Sequence, residues 1–424
     1  MAKPMDFDEL GVVMTGLRPR QRKYAELLLR EGVNVQPGQE VAVTAPAAAL
    51  PFVRMVVEEA YKAGAGHVTV MWKDDELSRL EYENVETSWF EKVPEWRRVQ
   101  LNGLAEKGAC FLWLDGDDPD GLKGIDPVKI ATGSRAVNTQ CDIWRSGLDF
   151  GRNAWSIGGV PTQAWATKVF PDKEPGDALL ALWDAVLEVA RVTSDPQSEW
   201  ETHNAMLEKS KRRLNAAHFS ALRYQASNGT DLTVGLTSKH IWEGGAATTV
   251  GGVRFFPNIP TEEIFTTPDR SKTEGIVHSA LPLVHAGKVV RDFWFRFEGG
   301  RVVEFDAAEG RDVLASIIKA DDGAAYLGEC ALISKNTPIR ESGLLFYSTL
   351  YDENASCHLA LGMGFPECFE GGFDLSPDEL LTHGVNQSSQ HVDFMIGTDD
   401  LDITGIKPDG KEVPVFTHGQ WAWE

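Results

Sequence analysis

The chain has 424 residues, 42% hydrophobic and 25% charged, a composition that folds but a length too great for one ordinary core, so two or three domains are expected. Its 63 acidic and 41 basic residues leave a formal charge of −22, which makes a nucleic-acid backbone or an anionic membrane unsuitable as the main partner. Residues 301–424 hold 22 Asp/Glu against 7 Lys/Arg, so 15 of the 22 net negative charges fall there, either as a solvated acidic surface or as a carboxylate-rich site for cations or a substrate amine.

The opening MAKPMDFDELGVV lacks an apolar stretch behind a basic start, so no secretory signal is expected. No run approaches the roughly 20 apolar residues that span a bilayer. The cysteines Cys110, Cys141, Cys330, Cys357 and Cys368 are odd in number, with no CxxC pair, and read as reduced thiols of a cytoplasmic protein.

Helical periodicity over residues 23–30 leads through the polar turn VQPGQ into an apolar strand, EVAVTAP, at 40–46. A helix with apolar positions at Phe52, Val53, Met55, Val56 and Val57 follows, then the break AGAG, then a strand at 67–72. A third buried strand is predicted at 109–114 after another helical stretch. That alternation predicts right-handed βαβ units and an open, largely parallel sheet. Helices around 177–191 and 199–217 close the first half.

Period 3.6 then gives way to period 2. A hairpin is predicted over 218–236 around Ser227-Asn228-Gly229. A meander over 275–306 breaks at His285-Ala286-Gly287-Lys288 and at Glu298-Gly299-Gly300-Arg301. A short helix is expected near 311–320, and strands at 392–396 and 412–416, with Asp409-Gly410 as a turn. The predicted fold is an α/β N-terminal domain, residues 1–215, followed by an α+β C-terminal domain rich in antiparallel strands, residues 216–424.

HExxH, GxSxG and GxxxxGK[ST] are absent, so zincin, serine-hydrolase and P-loop chemistries lack their local geometry. The glycines of GGAATTVGGVRFF read as turns, and Cys357 beside His358 reads as a packed thiol.

Four segments of the second half concentrate metal-ligand residue types. NIPTEEIFTTP offers Glu262 and Glu263, of which only one can face a given site if the segment is a strand. YLGECAL holds Glu329 as its only charge; YDENASCHLALG offers Asp352, Glu353 and His358; in QHVDFMIG, His391 and Asp393 are two apart and share a strand face. Unpaired carboxylates on buried faces are costly, and a shared cation explains four such segments most simply. Two histidines and three carboxylates suit Zn, Co or Mn.

In these segments, and in YAELLLREGVNVQPGQEVAV and VVEEAYKAGAGHVTVMW, the chain resembles the metallo-aminopeptidases of the aminopeptidase T, aminopeptidase S and PepS type over essentially its whole length. The resemblance implies metal ligands at Glu263, Glu329, His358, His391 and Asp393, with Glu263 preferred to Glu262 by its interval of 66 to Glu329. It implies two divalent ions per subunit, small peptide substrates with a free N-terminus, and a homodimer whose sites face an enclosed space. The two metals would activate a bridging water and polarise the scissile carbonyl. Glu353, five residues before His358, is the candidate general base. One departure stands out: the family's tyrosine seven residues after the ligand histidine is Phe365 here, in GMGFP, and phenylalanine cannot donate to an oxyanion. The alternative is a mononuclear non-haem iron site made by His358, His391 and Asp393, as in the related ring-cleaving dihydroxypyridine dioxygenases. Such a site has no need of Glu263 and Glu329, and their presence favours the hydrolase. A non-catalytic metal-binding homologue is the third reading.

Overall fold

The computed structural model describes residues 16–285 and 288–423, so the N-terminal stretch read for a signal and the middle of the 285–288 turn lie outside the described residues. In the first half, β1 (Glu40–Pro46) pairs in parallel with β2 (His67–Lys73) and with β3 (Cys110–Asp115), and β3 pairs in parallel with β4 (Trp155–Gly159). Val41, Ala42, Val43 and Ala45 of β1 are all buried, as expected of a strand covered on both faces. The predicted strands and the helices Pro175–Val189 and Pro196–Ala217 are present. The fourth strand, WSIGG, was not anticipated, because it is short and ends in two glycines. Those glycines answer to packing: a Cβ at Gly158 would collide with Leu28, and one at Gly159 with the Tyr351 hydroxyl.

The second half is largely antiparallel. Its strands are β5 (Ala221–Gln225), β6 (Asp231–Leu236), β7 (Glu243–Gly244), β8 (Ala247–Thr248), β9 (Arg254–Phe255), β10 (Asn258–Ile259), β11 (Ile264–Thr266), β12 (Pro268–His278), β13 (Leu283–His285) and β14 (Lys288–Glu298). They continue with β15 (Arg301–Glu309), β16 (Leu327–Leu332), β17 (His358–Gly362), β18 (His391–Met395), β19 (Asp402–Ile406), β20 (Glu412–Thr417) and β21 (Gln420–Trp421). The hairpin and meander fall in a large sheet ordered β13-β14-β12-β6-β5-β19-β20-β21, with β15 on β14. A second sheet runs β18-β17-β16-β11-β7. The glycine-rich stretch forms turns and the small β8–β9 pair.

Two hydrophobic cores organise the chain, one around Tyr24, Trp165, Trp183 and Trp200, the other around Tyr224, Trp242, Phe293 and Phe295. A boundary between residues 215 and 216 remains a proposal. Two later segments cross it: Phe255, Phe256 and Ile259, with β10 pairing in parallel to β4, and the stretch from Ile339 to Ala355 with Phe346 and Tyr351. Both segments lead directly into site residues. All five cysteines are free and buried. Among the described residues no helix is long and apolar enough to cross a membrane.

Candidate metal centre

The register of the small sheet explains how four segments meet. Glu329 lies opposite Ala360, and Ala360 opposite Asp393, so the two carboxylates flank an alanine on one face. His358 and Gly362 share that face of β17, and His391, opposite Gly362, shares it on β18. Alanine and glycine between the ligand types leave room above the sheet. On β11, Phe265 lies opposite Ala331, which shares the face of Glu329. Glu263, just before β11, lines the cavity, and Glu262 turns away. The Glu262 carboxylate accepts from both nitrogens of the Arg191 fork at 2.5 and 2.9 Å. The two adjacent glutamates, both just before β11, thus face opposite ways.

The structure brings Glu263, Glu329, His358, His391 and Asp393 together. Donor atoms of Glu263, Glu329 and His358 lie within 4.8 Å of one another, and so do those of Glu329, His391 and Asp393. Glu329 belongs to both groups. His391 Nε2 is 3.0 Å from Glu329 Oε2 and 3.2 Å from Asp393 Oδ1, while His358 Nε2 is 3.5 Å from Glu263 Oε2. His391 Nδ1 is 2.8 Å from the Met363 carbonyl, and His358 Nδ1 is 3.0 Å from that of Glu353. A carbonyl only accepts, so each Nδ1 carries a proton and each Nε2 is aimed at the cluster, the arrangement of a ligating imidazole.

The electrostatics have the same sense. Burial, then the Glu329 charge, pushes the Glu263 carboxyl up to about 8. Burial, then Asp393, Glu263 and Glu329, holds Glu353 well above the usual carboxylate range. Burial alone would lower His391, but Asp393 and Glu329 hold it well above its ordinary value. Asp393 Oδ1 is buried, with His391 Nε2 at 3.2 Å and His358 Nε2 at 4.0 Å as its polar neighbours. Three buried carboxylates against two imidazoles whose Nε2 atoms face them is a donor set that fits divalent cations, which would replace the bound protons.

Glu353 ends the short helix Thr349–Glu353 and lines the same cavity, of about 580 Å³. Asp352 does not reach it: its carboxylate accepts the Phe346 N–H at 2.8 Å and closes the turn before the helix. Phe365 lines the cavity with its ring 4.8 Å from His391 and 5.5 Å from Phe265. Several lining groups went unnoticed in the sequence. Leu148, Asp149 and Trp155 come from the first half, and Glu367, pushed up to about 7 by burial, lies two residues beyond Phe365. Lys211 bridges Glu208 and Glu243 at 2.6 and 3.2 Å. No periodicity marks these positions; only the closeness of Glu367 to Phe365 was available as a signal.

A buried cluster of this composition, on an antiparallel sheet beside a parallel one, has the donor types of a divalent-metal site. The family model of thermophilic metalloproteases (M29) matches residues 18–421, and the chain belongs to that family. It is 44% identical over 403 residues to Aminopeptidase 2 of Geobacillus stearothermophilus, covering 95% of this chain and 97% of that protein. The solved structure of wild-type AmpT from Thermus thermophilus superposes with a TM-score of 0.89 at 37% identity, covering 96% of this chain and all of that one. The 2,5-dihydroxypyridine dioxygenase of Pseudomonas putida KT2440 superposes at a TM-score of 0.50 and 10% identity, with 96% of each chain covered, a likeness of fold alone. Family membership makes the protein a peptide hydrolase.

Proposed function

We propose that the protein is an aminopeptidase releasing N-terminal residues from small peptides, with Glu263, Glu329, His358, His391 and Asp393 holding two divalent ions, Zn, Co or Mn. The observation that carries this reading is the pair of overlapping donor groups that share Glu329. Bound there, such ions supply polarisation of a peptide carbonyl and a water acidified toward neutral pH.

The remaining work falls to the chain's own residues. Glu353, lining the cavity beside the cluster, is placed to act as the general base: a carboxylate oxygen takes the proton of the attacking water and returns it to the leaving amine nitrogen. Phe265 and Phe365 offer an apolar wall for a substrate side chain, and the acidic surroundings attract an amino terminus. A cavity of about 580 Å³ suits short peptides. A cytoplasmic setting accords with five free cysteines. A homodimer is part of the proposal, and light scattering that returns a single 46.7 kDa chain at working concentration would contradict it.

The test pairs metal analysis of the purified protein with a panel of aminoacyl-amides. Cleavage restored to metal-free protein by Zn, Co or Mn is the expected result. Ring cleavage of a dihydroxypyridine with Fe(II) and oxygen, and no amide cleavage, would replace it with the dioxygenase reading.

A further inference from the structure

Glu263 and Glu353 face one cavity from different segments, and neither segment is a long regular element. Glu263 lies just before β11, and Glu353 ends a helix of five residues. Their relative placement must be set by something other than the sheet. The contacts around residues 261–262 do this.

Arg191 follows the helix Pro175–Val189 with a left-handed backbone, φ 55°, unusual for a residue with a Cβ. From there its guanidinium meets both oxygens of Glu262, with the two side chains 15% and 5% exposed. His203, on the helix Pro196–Ala217, has Nε2 2.7 Å from the Thr261 carbonyl, to which it donates. Asn354, fully buried, accepts the Glu262 N–H through Oδ1 at 2.8 Å and donates to the Leu350 carbonyl at 2.9 Å. Asn354 is also the residue directly after Glu353. One amide therefore ties the approach to Glu263 to the helix that carries Glu353.

We propose that Arg191, Glu262 and Asn354 are positioning residues, a clamp that holds the Glu262 side chain out of the cavity, turns Glu263 into it and fixes Glu263 relative to Glu353. The proposal rests on the metal-dependent reading of the site. A buried ion pair is weak as a source of stability, but a two-pronged guanidinium–carboxylate contact is strong as a source of direction. Without the fork, the 262–263 segment can rotate and present either glutamate to the cluster. Partners of metal ligands typically carry a 10- to 100-fold share of metal affinity or activity.

The experiment compares the parent with Arg191→Met, Arg191→Lys, Glu262→Gln and Asn354→Ser. Each is titrated with Mn(II) or Zn(II) from the metal-free state by calorimetry, and kcat and KM for leucine-amide are measured well below the melting temperature. Arg191→Met and Glu262→Gln should weaken metal binding about 10- to 100-fold and lower kcat, with KM little changed. Arg191→Lys should recover only part of the affinity, because an ammonium cannot make the paired contact. Asn354→Ser should lower kcat at saturating metal. Glu262→Gln, nearly isosteric, gives a reading if Arg191→Met does not fold. Variants that melt lower but keep parental metal affinity and kcat would overturn the clamp. A parent that binds no divalent ion would overturn the metal-dependent reading first, and the clamp with it.

Discussion

Two buried sheets in this molecule bury different things. β1 of the parallel sheet packs Val41, Ala42, Val43 and Ala45 against apolar neighbours on both faces. The small antiparallel sheet is apolar on one face only, where Cys330, Leu332, Leu359, Leu361, Val392 and Phe394 join the second core. Its other face carries Glu329, His358, His391 and Asp393. The apolar face holds the strands in register, so the opposite face can gather groups that repel one another until a cation or protons arrive. The difference shows how one sheet separates stability from chemistry, side by side along each strand.

Changing one face should spare the function of the other. Glu329→Ala removes the carboxylate common to both donor groups, and kcat/KM should fall by more than about 100-fold, with metal affinity lost alongside it and the apo fold retained. Parental activity in that variant would break the division. Leu359→Ala, on the opposite face, should cost about 2–5 kcal/mol of unfolding free energy by denaturant titration while metal still binds. A Leu359→Ala protein of normal stability but poor metal affinity would show that the two faces are coupled.

Phe365→Tyr sharpens the comparison further, because it adds one donor to the functional side. If the hydroxyl reaches a developing oxyanion, kcat should rise by an amount equivalent to about 2–3 kcal/mol, with KM nearly constant. An unchanged rate would mean that the ring, 4.8 Å from His391, serves only as a wall.

The smallest effect concerns pH. Glu263 and Glu353 have folded-state proton affinities raised above those of the unfolded chain, so the native metal-free protein holds more protons than the unfolded one above the ordinary carboxylate range. Stability should therefore fall as pH rises from about 5 toward 8, and the metal-free protein should melt several degrees lower at the upper end. Bound metal should flatten that slope by taking the place of the protons. A metal-free melting temperature that rises across this window would contradict the assigned direction.

Legibility in the sequence followed the same division. β1, β2 and β3 were visible as runs of apolar residues between helical stretches, β18 as a strand and β16 as an apolar run around Glu329, whereas β17 showed only through His358. β4 was hidden because its Gly158 and Gly159 answer to Leu28 and to Tyr351, both far away in sequence, and β10 because two residues carry no period. The preference for Glu263 over Glu262 came from its interval of 66 to Glu329 in the family resemblance, because no local pattern separates two adjacent glutamates. Arg191 was invisible for a related reason: a partner 71 positions distant leaves no local pattern. Glu353 stood out only through its closeness to His358.

Metal stoichiometry tests the central claim most directly. Metal-free parent and Glu329→Ala would be titrated with Mn(II) or Zn(II), with bound metal counted after removal of the excess. The parent should retain two equivalents per chain, and Glu329→Ala, lacking the shared ligand, should retain neither firmly. A parent that holds no divalent ion yet cleaves leucine-amide in the presence of strong chelator would contradict the account.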